Sequence, residues 1–306
     1  MRVLQTASGE VVALAFSASG DALAAVVQTE GVVLWNLQLG DHSITLDARI
    51  SQQTRALHFS PDGRSLTWLA AHARKVYNRD QRRTAVTKLS APGQLIGMTQ
   101  TPDGGRLVTQ HSFPESSLIG WSGWGVDWEQ DWSIRADKLS IHTAAVCPTG
   151  TQLGLLTRET LPGRFWDVNP IRLELRSAVN GLVRATTKYP PKYHGPLLFS
   201  PDGAQLVGSN DMTLLVWSVP ALGEAKLIRN DTRKHFTSMA YHPSGRYLYA
   251  TSNDATVHVF DTATWDRVRR FTWKLGRLRS VAVSPDGTLA AAGGDKGEVV
   301  VWDVDA

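Results

Sequence analysis

Apolar residues in this chain fall in short alternating runs, and the runs come in pairs around a turn. Val11–Phe16, residues 55–59 and residues 281–283 lie on one side of such turns. Ala22–Val27 and residues 206–208 and 289–292 lie on the other. Two β-rich runs joined by a Pro/Asp/Gly turn predict an antiparallel hairpin. The turn is one short phrase, a small residue followed by Pro, Asp or Ser, and Gly. It occurs at Ser17-Ala18-Ser19-Gly20, Ser60-Pro61-Asp62-Gly63, Thr101-Pro102-Asp103-Gly104 and Cys147-Pro148-Thr149-Gly150. It returns at Ser200-Pro201-Asp202-Gly203, His242-Pro243-Ser244-Gly245 and Ser284-Pro285-Asp286-Gly287.

Successive turn glycines lie 43, 41, 46, 53, 42 and 42 residues apart. A third run ends in an aromatic 14 or 15 residues after the glycine, at Trp35, Tyr77, Trp217, Phe260 and Trp302. The 27 to 29 residues from that aromatic to the next turn glycine leave room for a fourth, outer strand. Seven units of four antiparallel strands predict an all-β, seven-bladed β-propeller, read as one domain over residues 1–306. The last unit lacks an outer strand after Trp302-Asp303-Val304. Counted back from the following turn glycine, the outer-strand position of the sixth unit maps onto residues 1–4, so the N-terminal strand is expected to complete the last blade.

The residues after the third run resemble those of the tryptophan–aspartate repeat (WD-repeat) family over essentially the whole chain. Trp302-Asp303 follows residues 298–301, Phe260-Asp261 follows 256–259, and Trp35-Asn36 and Trp217-Ser218 hold the same place. Asp211, Asp254 and Asp295 match the family's tight-turn Asp, with Glu30 in its place in the first blade. No His stands about thirteen residues before a turn glycine, where the family's Gly-His pair falls. The resemblance is therefore to a degenerate member, expected to lack the family's Asp–His–Ser–Trp hydrogen-bond network. It implies a protein-interaction scaffold.

Composition changes this picture little. Apolar residues make up 42%, near the globular average, and no run reaches the roughly 20 residues of a membrane helix. The run from Val11 is a first strand rather than a signal peptide, so no secretion and no membrane association are expected. Cys147, the single cysteine, fills a turn slot held elsewhere by Ser or Thr. A cytoplasmic location fits it, which makes the Asn230-Asp231-Thr232 sequon a coincidence. Lys and Arg exceed Asp and Glu by 32 to 28, clustering in residues 74–88 and 267–279. These clusters fall on outer strands and turns, where basic residues guard a sheet edge, so nucleic acid is not an expected partner.

Catalytic constellations are missing from the sequence. Cys/His pairs at zinc spacing do not occur, and Gly293-Gly294-Asp295-Lys296-Gly297 precedes a strand rather than a helix. The predicted inner strands are apolar or small, with His58 and Tyr241 as their only large polar residues. Neither metal, cofactor nor enzymatic activity is expected. The competing readings are a propeller hydrolase or lyase with a site in the central channel, and a weakly basic nucleic-acid or phosphate binder. The cluster Trp121, Trp124, Trp128 and Trp132 reads as packing between blades, with Trp124 exposed.

The repeat breaks most between Gly150 and Gly203. Either Phe165 to Val168 form the third strand of blade 4, or Ile171–Ser177 does, with Asn180-Gly181 as its turn and 182–188 as the outer strand. The second register is preferred because Asn-Gly is a strong hairpin signal. The excess then becomes a loop over 158–170. It emerges on the top face with two other irregular segments, residues 111–115 of blade 3 and the link 189–195 into blade 5. Phe113, Arg158, Arg164, Phe165, Trp166, Tyr189, Tyr193 and His194 are the candidate contacts for a protein or peptide partner, since aromatics and Arg dominate interface hot spots.

Overall fold

The computed structural model describes residues 1–6, 9–40, 42–48, 57–70, 73–88, 94–112, 117–124, 127–135, 139–159, 170–191 and 194–305. Among them lie 28 strands and no helix, arranged as seven four-stranded antiparallel sheets. The fold is a seven-bladed β-propeller. In blade 1 the strands are Val11–Phe16, Ala22–Val27, Gly31–Asn36 and Ser43–Asp47, and six further blades repeat this order from inside to outside. By its internal contacts the chain divides into two compact units. One comprises residues 1–88 and 231–306 (blades 1, 2, 6 and 7), the other residues 89–230 (blades 3 to 5).

The recurring phrase has one hydrogen-bond pattern in all seven blades. The glycine amide donates to the carbonyl of the first residue, whose own amide donates to the carbonyl five residues on, at 2.8–3.0 Å. Each turn glycine has φ between 69° and 77°, a left-handed conformation that strains other residues. A Ser or Thr at the first position also accepts the amide five residues on, as Ser200 does from Gln205 and Ser284 from Leu289. The Asp two places later accepts that hydroxyl in blades 2, 5 and 7. Hydrogen bonds from Ser60 and Ser200 hold the Asp62 and Asp202 carboxyls below the usual carboxylate range. The small residue, the Asp and the Gly are thus one closed set.

Each described turn also rests on its neighbour within the same unit. A side chain at Gly203 would meet Cys147 Sγ at 2.5 Å, and one at Gly287 would meet the His242 imidazole at 2.6 Å. Cys147 keeps the slot's hydrogen bonding through Thr149 and is 2% exposed. Between blades 1 and 2 the same region carries a charged latch. Arg79 donates to both oxygens of Asp21, at 2.7 and 3.3 Å, and to the Gly63 carbonyl at 2.9 Å. Ser17 and Ser19 add two further hydrogen bonds to Asp21. Chiefly through the Arg79 guanidinium, its carboxyl is held far below the ordinary range.

Residues 1–5 complete blade 7 as expected. Arg2–Gln5 pairs antiparallel with the third strand, Glu298–Asp303, with Leu4 opposite Val299. Leu4 is fully buried with Val299, Val301, Phe16 and Trp35. The preferred register of blade 4 also holds, since Ile171–Ser177 is its third strand and Val183–Tyr189 its outer strand.

The family's Asp–His–Ser–Trp network, expected to be absent, is not seen in that arrangement among the described residues, but blade 3 holds a Trp–Thr–His contact. In blade 3, Trp121 Nε1 donates to Thr109 Oγ1 at 2.8 Å, and His111 Nε2 lies 2.8 Å from the same oxygen. That His comes from the second strand, two residues after the Thr, rather than from the link between blades. Trp132 serves packing between blades: its ring lies over Gly120 and its Nε1 reaches the Ala178 carbonyl of blade 4 at 2.9 Å. The side chain of Trp124 lies outside those described.

Two stability experiments follow from these contacts. Leu4→Ala removes a fully buried anchor from blade 7 and should cost about 2–5 kcal/mol by denaturant unfolding; an unchanged midpoint would mean the strand contributes nothing. Asp21 has a depressed folded-state pKa, so its contribution is complete above the unfolded carboxyl range, near pH 4, and is lost as pH falls through the folded value. Relative to wild type, Asp21→Asn should lose about 1.5–3 kcal/mol at pH 7. The difference should shrink in acid, read from thermal midpoints across a pH series.

Candidate functional site

The irregular segments belong to blades 3 to 5, all in the unit 89–230. The second strand of blade 4 is Gln152–Glu159. Arg158, expected in a loop, therefore belongs to this strand and pairs across to Ser140 and Ile171. Phe113, Arg164, Phe165, Trp166 and Tyr193 lie outside the described residues. Of the eight candidates, Arg158, Tyr189 and His194 can be placed.

Those three come together. Arg158 Nη2 lies 3.5 Å from His194 Nε2, and the Tyr189 and His194 rings approach edge-on at 6.4 Å. Arg158 and His194 are partly exposed, whereas Tyr189 is 3% exposed and packs on Trp217 at 5.7 Å. Its hydroxyl donates to the Ser209 carbonyl at 2.9 Å, and burial raises its pKa well above the ordinary phenol value. Tyr189 is thus a support beneath the surface. The same Ser209 carbonyl accepts the Gly195 amide at 2.8 Å, and Asn210 donates to the Pro190 carbonyl at 3.1 Å. Gly195 sits so close to Ser209 that a side chain there would collide with its hydroxyl. Both ends of the link into blade 5 are clamped to one strand end.

A fourth residue, not anticipated from the sequence, completes the group. His142 is exposed, and its ring centroid lies 4.4 Å from that of His194, tilted by 55°. It lies on the inner strand Leu139–Val146, which begins earlier than its apolar Ala144-Ala145-Val146 core suggested. The pairing shifts by one residue between Ile141 and Thr143, leaving His142 as the bulged residue. The same shift occurs at Val12, Ile96, Thr237 and Arg279 in the inner strands of blades 1, 3, 6 and 7. A bulge re-aims the extra side chain and breaks the alternation from which inner strands are read. His58 and Tyr241 are therefore joined by His142 and Arg279 as large polar inner-strand residues.

The family model for the WD domain, G-beta repeat (WD40), matches residues 197–218, 227–261 and 265–303. Three stretches of the chain, in blades 5 to 7, therefore match the WD repeat. It is 30% identical over 107 residues to the meiotic recombination protein rec14 of Schizosaccharomyces pombe, covering 34% of this chain and 35% of that one. To the nuclear distribution protein PAC1 of Arthroderma otae it is 25% identical over 187 residues, 54% of this chain and 38% of that one. The match thus spans little more than a third of either relative. Among solved structures, the Cps50 (Swd1) β-propeller domain of Myceliophteria thermophila superposes with a TM-score of 0.74 at 16% identity, covering 99% of this chain and 100% of that one. The family model matches in blades 5 to 7, whereas the irregular segments belong to blades 3 and 4 and the link into blade 5.

Tyr189→Phe keeps the ring and removes the hydroxyl. It should lower stability by about 1 kcal/mol and speed hydrogen exchange at the Gly195 amide, measured by mass spectrometry. Unaltered exchange there would show that the link is held without Tyr189.

Proposed function

We propose that this propeller is a non-catalytic interaction scaffold that binds a protein or peptide partner on its top face, through the loops of blades 3 to 5. WD40 propellers typically act as protein-interaction scaffolds, which supports the general reading. The observation that carries the finer one is the link into blade 5. It departs from the repeat in sequence, yet is fixed at both ends by Ser209 and Asn210. A rigid support holding partly exposed Arg158 and His194 loses little ordering entropy when a partner docks. Phe165 and Trp166, in the adjoining insertion, would supply the apolar anchors. In this reading the protein works in the cytoplasm, where the lone buried thiol of Cys147 stays reduced.

The test is capture of partners from extracts of the native host on immobilised wild-type protein and on the Phe165→Ala/Trp166→Ala variant. A partner identified on wild type should be lost from the variant, since removing aromatic anchors costs roughly 2 kcal/mol or more, with the thermal midpoint unchanged. A variant that melts well below wild type would make these aromatics part of the core. Equal binding by both proteins would move the docking surface elsewhere, first to the basic outer strand Arg267–Thr272.

A further inference from the structure

The outer strands of the seven blades differ in charge. Each is outermost in its sheet and pairs with a neighbour on one side only, which leaves an edge that a further strand can use. The blade 6 strand Arg267–Thr272 is the most basic, with three arginines and no acid in RVRRFT. The blade 3 strand Asp127–Arg135 is the most acidic, with Asp127, Glu129 and Asp131 against Arg135 in DWEQDWSIR. Among the others, blade 1 carries a single Asp, which Lys75 pairs, and blades 2, 4, 5 and 7 carry only Lys or Arg.

Part of this charge is already matched within the chain. Arg267 pairs with Asp231, and Arg269 donates to the Val304 carbonyl at 2.9 Å. Arg270 is exposed, in register with His258 of the third strand. In blade 3, Asp131 pairs with Arg106 at 3.0 Å, and Glu129 is exposed in register with Ser122. The two strands also share an irregularity. Each has a one-residue bulge, at Asp131 in blade 3 and at Val268 in blade 6. A bulge blunts an edge because a regular strand cannot follow it. Laid antiparallel with Glu129 opposite Arg270, however, the two strands bring Asp131 opposite Val268, so their bulges coincide.

We propose that a second copy of this chain docks at these edges, the outer strand of blade 3 in one molecule lying antiparallel to the outer strand of blade 6 in the next, with Glu129 against Arg270. Opposite charges facing across strands stabilise a pair and like charges oppose it, so the basic edges repel one another while the acidic edge is selected. The acid that the blade 6 edge admits is supplied by the chain itself, with a bulge in matching register, which favours a second copy over a foreign strand. The contact joins two different surfaces. Each molecule added leaves one edge of each kind open, so association runs head to tail rather than closing as a two-fold dimer. This inference goes beyond the top-face reading and does not depend on it.

Sedimentation velocity of the full-length protein over a dilution series tests the contact. In about 20 mM salt the average sedimentation coefficient should rise with concentration, and in about 500 mM salt the protein should run as a monomer, because exposed charges are screened. Glu129→Lys and Arg270→Glu should each weaken self-association at least about ten-fold, since each sets like charges against one another. An equimolar mixture of these two variants should associate again, because every contact between unlike variants pairs opposite charges. Both side chains are exposed, so the thermal midpoints should match wild type. If a reversal lowers its midpoint, Glu129→Gln and Arg270→Gln carry the same test of weakening. A wild-type protein that stays monomeric in low salt, or association indifferent to salt, would overturn the proposal. So would variants that associate as wild type does, or that fail to recover when mixed.

Discussion

The fold depends on a turn that is closed on itself and stacked on its neighbour. Seven times, a backbone hydrogen-bond pair, a hydroxyl or its substitute, and a left-handed glycine fix the hairpin joining the first two strands of a blade. At Gly20, Gly63, Gly150, Gly203 and Gly287 the same glycine, having no side chain, also lets the preceding blade's turn approach closely, as Cys147 does beneath Gly203 and His242 beneath Gly287. Local chain reversal and packing between blades are thus met by one residue. This explains why the phrase tolerates Ser, Thr, Cys or His at its first position while glycine ends every copy.

That double constraint is why the architecture could be read from sequence alone. Turn spacing gave the number of blades, and the aromatic at the end of each third run gave strand order. The long spacing before Gly203 resolved correctly because Asn180-Gly181 encodes its own hairpin. What escaped the reading has a common physical origin in the inner strands. A one-residue bulge at His142 and Arg279 breaks alternation, so the strands looked shorter and more apolar than they are. Likewise, Arg158 looked like loop because the strand continues three residues beyond its last apolar residue, Leu156.

The candidate site was legible only in part. Departure from the repeat pointed to Arg158 and His194, which the fold brings into contact, but aromatic character alone did not tell that Tyr189 is buried. A tyrosine next to two prolines looks like a loop contact. Here it is buried, because its hydroxyl can reach the Ser209 carbonyl, which offers the partner a buried phenol needs. Nothing in the sequence near His142 marks its approach to His194, since the two are brought together by the fold across 52 residues.

The stacking of turns has one further consequence. Cys147 carries the chain's single thiol, and it lies between two blades with its sulfur capped by the backbone at Gly203. A thiol reagent reaches it only when those turns part. The rate at which this one atom is labelled is therefore a clock for how often blades 4 and 5 breathe, set into the protein by a Cys in a slot that other blades fill with Ser, Thr or His.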